Sequence, residues 1–257
     1  MLQAHSFLWH YLWVAPNVLL LVLAACMWKR GLARELPAFF AFITVDAFAQ
    51  LGMYVADVSP VVGPETWWHL AWVSLIIDGV LKAFLIAEIY DRNFRSYDAL
   101  AKLGRILIRA VGVTLIMASA VLAAVGPQDG RFGIIAGEHS LEQGIYLVES
   151  GLLLAVLVLA ALFKLRPPRP VFGIAVGLAI SACVHLASWA VMASGGLPNS
   201  KRAPLVFLNM ATYHACVLIW FYFVLVPVKV KSNSGPPMPP IHNLEVWNRE
   251  VGRLLHP

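Results

Sequence analysis

The chain has 257 residues, 60% hydrophobic and 13% charged, with a formal net charge of +5. A soluble domain carries about 25% charged residues, so this composition, with a mean hydropathy of +0.75, excludes an ordinary soluble enzyme. Hydrocarbon offers backbone polar groups no partner, and the apolar runs are too long for barrel strands, so an all-α integral membrane protein is expected.

A spanning helix needs roughly 20 apolar residues. By hydropathy the spans fall at about 8–28, 36–57, 67–90, 105–126, 143–164, 171–195 and 204–227, which predicts a seven-helix transmembrane domain over residues 1–228. The first run follows Met1 to His5, which lack the basic n-region of a signal peptide, and it is read as a retained helix. Breaks between spans carry turn residues: Ser59-Pro60 and Gly63-Pro64, then Gly126-Pro127, Pro167-Pro168, and Gly195-Gly196 with Pro198.

The loops fix orientation. One alternating set holds Lys29, Arg30 and Arg34, then Arg92, Arg95, Lys102 and Arg105, then Lys164, Arg166 and Arg169, then Lys229 and Lys231. The other set holds Arg131, Lys201 and Arg202. Cationic loops stay in the cytoplasm, so the N-terminus is expected outside and the C-terminus inside, in a bacterial inner membrane. The net positive charge therefore reports membrane orientation and contact with anionic headgroups, and no nucleic-acid partner is expected. All three cysteines, Cys26, Cys183 and Cys216, lie in apolar runs, so no disulfide framework is expected.

After the last span, residues 229–240 form a basic, Pro-rich linker, semi-rigid and extended. Residues 241–257 then read as an amphipathic cytoplasmic helix capped by Asn243, with Leu244, Trp247, Val251, Leu254 and Leu255 on one face. It suits a cytoplasmic or membrane partner, the membrane interface, or this protein's own loops.

Several stretches resemble a large family of stand-alone seven-helix membrane proteins from acidobacteria. They are Arg34 to Phe40, Tyr90 to Leu100, Val171 to Ala175, Val217 to Trp220, and Trp247 to Glu250 with Arg253 to Leu255. The resemblance covers nearly the whole chain and implies no activity. The layout is also similar to the seven-helix input modules of bacterial sensor kinases.

An ionisable side chain at membrane depth costs about 2.5–3.5 kcal/mol on insertion scales, so each is a candidate functional residue. Reckoned from the span ends, they fall into two groups. The inner group is a buried charge network of Asp46, Asp78 and Lys82, with Arg109 near it. Asp78 and Lys82 are four residues apart on one helix face. A structural ion pair and a proton or ion relay both fit. The outer group is Glu149, His185 and His214, with Tyr146, Trp189 and Tyr213 beside them. These six are the candidate ligand-binding residues. A satisfied polar network, an organic-ligand pocket, a divalent metal site and a bis-histidine haem site all remain open for them.

Cys183-Val184-His185 and His214-Ala215-Cys216 mirror each other, but residues two apart on a helix point about 200° apart, so they cannot form a four-ligand zinc site. No lysine lies between Pro204 and Pro227, so no retinal Schiff base is expected there. Gly173 and Gly177 form a Gly-x-x-x-Gly pair, which marks close helix packing or a homodimer face. No phosphate loop, nucleophile elbow or zinc-protease motif occurs, so no catalytic residue is assigned and a membrane-embedded enzyme is the least favoured reading. The leading expectation is a receptor-like or sensory protein that binds a small ligand in an outer-half polar pocket. A transporter or proton conductor, and a haem-binding or redox subunit, are the alternatives.

Overall fold

The computed structural model of the chain describes residues 5–94, 131–162, 168–193 and 199–226, with isolated positions 106, 110, 113, 246 and 249. The expected span at 105–126 and the tail helix at 241–257 lie outside the described residues, those isolated positions apart.

The described chain is all helical: α1 (Phe7–Lys29), α2 (Leu32–Glu35), α3 (Pro37–Val58), α4 (Pro64–Phe94), α5 (Arg131–Leu162), α6 (Arg169–Ala193) and α7 (Asn199–Leu225). α2 is a single turn, so these seven are not the seven expected spans. Five of them are long and apolar enough to cross a membrane, over Phe7–Lys29, Pro37–Val58, Pro64–Phe94, Arg169–Met192 and Ala203–Leu225. Large apolar side chains point outward at mid-helix, as at Phe48 and Phe84, which are 63% and 64% exposed. Such a surface suits lipid and not water. The chain is a multi-pass membrane protein.

Local chemistry sets the helix ends. The Ser6 side chain accepts the Trp9 N–H at 3.3 Å and caps α1. After Lys29 the chain turns through Gly31, whose φ of 74° is left-handed and costs glycine little. α3 opens on Pro37, which needs no hydrogen bond at a first helical position. Its N-cap residue, Leu36, has no side-chain acceptor. Glu88 of α4 supplies one, accepting the N–H groups of Ala38 and Phe39 at 3.1 Å each. The opposite end of the chain is held by cations: Arg30 donates to the Leu225 carbonyl at 2.7 Å and Arg169 to the Val226 carbonyl at 2.8 Å. Both sit where the dipole of α7 is negative.

The six long helices close into a ring in the order α1, α3, α4, α5, α6, α7 and back to α1. Directions follow from the register of contacts. Trp9 meets Tyr54 while Trp28 meets Phe40, so α1 and α3 are antiparallel. Gly79 lies against Ile145 and Lys82 against Glu149, so α4 and α5 run parallel. α6 and α7 are antiparallel and very close. A Cβ on Gly173 would overlap the Phe223 side chain, and one on Gly177 would overlap the Trp220 indole. The Gly173–Gly177 face is thus filled by the chain's own α7, the close helix packing that the pair was expected to mark. Helices also overrun the apolar runs: α4 spans 64–94 where 67–90 was expected, and α5 begins at Arg131 instead of 143. Hydropathy registers where side chains turn apolar, while a helix continues as long as its backbone bonds can be made.

Candidate functional site: a polar cavity inside the helix ring

Inside the ring lies a cavity of about 390 Å³ lined from all six long helices. It sits toward the end where α1 begins and α6 finishes, with Trp9, Trp13, Trp189 and Met192 at that end and Phe42, Leu178 and Trp220 deep in the bundle.

Lys82 is the hub of its wall. Its Nζ is 3.0 Å from Asp78 Oδ2, one turn back on α4, and 3.3 Å from Glu149 Oε2 on α5. The same ammonium lies 4.8 Å over the Tyr146 ring, a cation–π position. Lys82 and Glu149 meet because each stands eighteen residues into its helix and the two helices run the same way. Glu149 is buried, at 3% exposure, and its Oε1 has no hydrogen-bond partner.

Asp46 of α3 is buried and accepts a hydrogen bond from the Tyr213 hydroxyl of α7. On α6, His185 stacks on Tyr146 with ring centroids 4.6 Å apart, and its Nδ1 donates to the Ser181 carbonyl at 2.9 Å. A carbonyl only accepts, so Nδ1 carries a proton and Nε2 is the ring nitrogen left to face elsewhere. Asn17 of α1, 2% exposed, donates from Nδ2 to the Trp13 carbonyl at 2.6 Å. That bond fixes the orientation of the amide and leaves Oδ1 buried with no hydrogen-bond partner. Asn209 accepts from Ser188 at 2.8 Å on the α6–α7 side.

The two expected groups are therefore one. Glu149 joins Asp78 and Lys82 instead of standing with two histidines, and Asp46, Asp78, Lys82, Tyr146, Glu149, His185, Trp189 and Tyr213 all border the same cavity. The depths differed on paper because they were reckoned from hydropathy boundaries at opposite ends, and those boundaries fall short of the true helix ends. His214 is the exception. Its ring meets Tyr11 at 5.7 Å, between α7 and α1, and it does not border the cavity. The structure thus does not bring His185 and His214 to one site as a haem pair. Among the described residues no three His, Cys, Asp or Glu side chains are arranged to hold a metal ion. Arg109 lies outside the described residues. Asn17, Gln50, Glu142 and Asn209 also border the cavity and were not singled out in the sequence. Their signal was there, three amides within apolar runs and an acid at the edge of one, but an amide carries no charge and its burial cost does not by itself mark a site.

No protein-family model, curated protein or solved structure matches the chain.

Proposed function

We propose that this chain is a receptor-like or sensory membrane protein that binds a small organic ligand inside its helix ring. The observation that carries the reading is a cavity of about 390 Å³, within the size range of small-molecule sites, into whose wall a buried Glu149 carries an unpartnered oxygen. A buried acceptor without a partner costs about 1–3 kcal/mol, more when charged, and a ligand that donates to it removes that cost. Seven spans with the N-terminus outside, in a bacterial inner membrane, belong to the same proposal. The cationic loops support it, and so do the parallel α4 and α5: two parallel helices in succession need an odd number of crossings between them, which the expected span at 105–126 provides. The tail at 241–257 then lies inside, where it serves as the docking element for a partner.

The test is a thermal-shift screen of the purified chain in lipid nanodiscs against a small-molecule library, beside a Ser181→Phe variant whose new ring occupies the cavity. A true ligand at a hundredfold excess over its Kd stabilises the fold by about 2.7 kcal/mol, and the filled variant gains nothing. If no compound separates the two proteins, the reading is wrong. A second reading, proton or ion conduction, draws on Asp78, Lys82 and Glu149 in contact across α4 and α5 with Asp46 bordering the same cavity. Ion flux in proteoliposomes that is lost in Lys82→Met would favour it.

A further inference from the structure

Resting on that ligand-binding reading, we infer that the cavity takes a small organic cation, a molecule with an ammonium group and an apolar body. Three features of the wall select this class.

The first is the sense of its unmet hydrogen bonds. Glu149 Oε1 and Asn17 Oδ1 are both buried without a hydrogen-bond partner, and both are acceptors. His185 borders the same cavity with its Nδ1–H turned to the Ser181 carbonyl, which leaves Nε2 for a ligand. A ligand that satisfies these atoms must donate, and an ammonium group has three N–H bonds to give and nothing to accept with.

The second is charge. Among the described residues, four carboxyl groups border the cavity, on Asp46, Asp78, Glu142 and Glu149, against one ammonium, Lys82. Lys82 is itself engaged by Asp78, Glu149 and the Tyr146 ring, so its charge is spent within the wall. An anionic ligand would add to an acidic excess, whereas a cation offsets it, and at low dielectric the difference is large.

The third is the rest of the lining. Trp9, Trp13, Tyr146, Trp189, Tyr213 and Trp220 contribute to it. Aromatic faces attract cations through their quadrupoles, most strongly when water is excluded. The same rings give an apolar body a surface to pack on. Acid, amide acceptor and ring together describe an amine site, and a bare metal ion would leave most of this volume unfilled.

Binding is measured on the full chain in nanodiscs with matched probes on two skeletons: phenethylamine, 2-phenylethanol and phenylacetate, then tryptamine, tryptophol and indole-3-acetate. The amines are expected to bind at least about tenfold more tightly than their neutral and anionic counterparts, a difference of about 1.4 kcal/mol. Glu149→Gln should erase that preference. Because Glu149 also pairs with Lys82 and its variant can fail to fold, Asn17→Leu, which leaves the ion cluster intact, is the second variant and should weaken the amines alone. Preferential binding of an alcohol or carboxylate overturns the cation proposal while the ligand-binding reading stands. An amine preference unchanged in both variants overturns the site assignment. Absence of binding by every probe at millimolar concentration overturns the cation proposal, and the library screen then decides the ligand-binding reading separately.

Discussion

Lys82 sits in a part of the bundle where a lone charge has no water to retreat to. Its side chain is 12% exposed, and its ammonium is held by two carboxylates, one on its own helix and one on the next. A buried ion pair adds little net stability over a well-packed apolar pair, but removing one partner strands the other and costs about 3–5 kcal/mol. Lys82→Met should therefore lower unfolding stability in mixed micelles by about that amount. Adding Glu149→Gln to the same chain should recover part of the loss, since it removes the stranded charge. A double variant less stable than the single would contradict the pairing. Tyr213 makes a parallel case. Its hydroxyl donates to buried Asp46, and a hydrogen bond to a charged group contributes about 1.5–3 kcal/mol, so Tyr213→Phe should lower stability within that range, whereas Tyr222→Phe, on an exposed ring, should leave it unchanged. The ionisable members of this cluster were legible in the sequence because a charge within an apolar run is conspicuous. Their partnerships were not, because i,i+4 geometry reveals only contacts within one helix: it gave Asp78 with Lys82, while Glu149 reaches Lys82 across two helices whose relative height depends on where each begins.

At the scale of the helices, two devices hold the ring shut. α3 lacks a cap of its own and borrows Glu88 from α4, which Arg92 flanks at 3.8 Å. An N-cap acceptor is worth about 0.5–2 kcal/mol. Glu88→Ala should lower stability by about that much, and Glu88→Gln, which keeps an acceptor oxygen, by less. Hydrogen exchange at Ala38 and Phe39 should accelerate in the alanine variant, and unchanged exchange there would show that the cap is dispensable. The second device is the glycine face of α6. Gly177 admits the Trp220 indole, which also floors the cavity. Overpacking costs about 1–3 kcal/mol, so Gly177→Leu should lower stability and reshape the ligand site together. Gly151 of α5 faces open space, and Gly151→Ala there should be neutral or stabilising by up to about 1 kcal/mol, since alanine is the better helix former. The glycine spacing was readable from sequence, but not its partner, which takes knowing that α6 and α7 are antiparallel neighbours. The missing cap was readable too: Leu36-Pro37 opens a helix with no Ser, Thr, Asp or Asn before it, so an acceptor had to come from elsewhere in the fold.

For the molecule as a whole, membrane character was plain in the composition, since five described helices carry apolar spans that sliding hydropathy finds without any tertiary knowledge. Direction is a different matter, because it depends on every crossing between two labelled points. The ring fixes relative directions: the 59–63 turn and the start of α5 lie at one end, while the starts of α3 and α6 lie at the other. In the proposed orientation, drawn from the charge of the loops, the first of these ends lies outside and the second inside. Val61, 89% exposed in the turn before α4, and Pro168, exposed just before α6, therefore report opposite ends. In a chain with Cys26, Cys183 and Cys216 replaced by alanine, Val61→Cys should react with an impermeant maleimide in intact cells. Pro168→Cys should react only after the membrane is opened. Reversal of both would invert the orientation and place the aromatic end of the cavity toward the cytoplasm, which would make the ligand an internal metabolite instead of an external one. Labelling of both from the same side would be more damaging, because α4 and α5 could not then run parallel, Lys82 and Glu149 would stand at different heights, and the polar cavity that the functional proposal needs would not form.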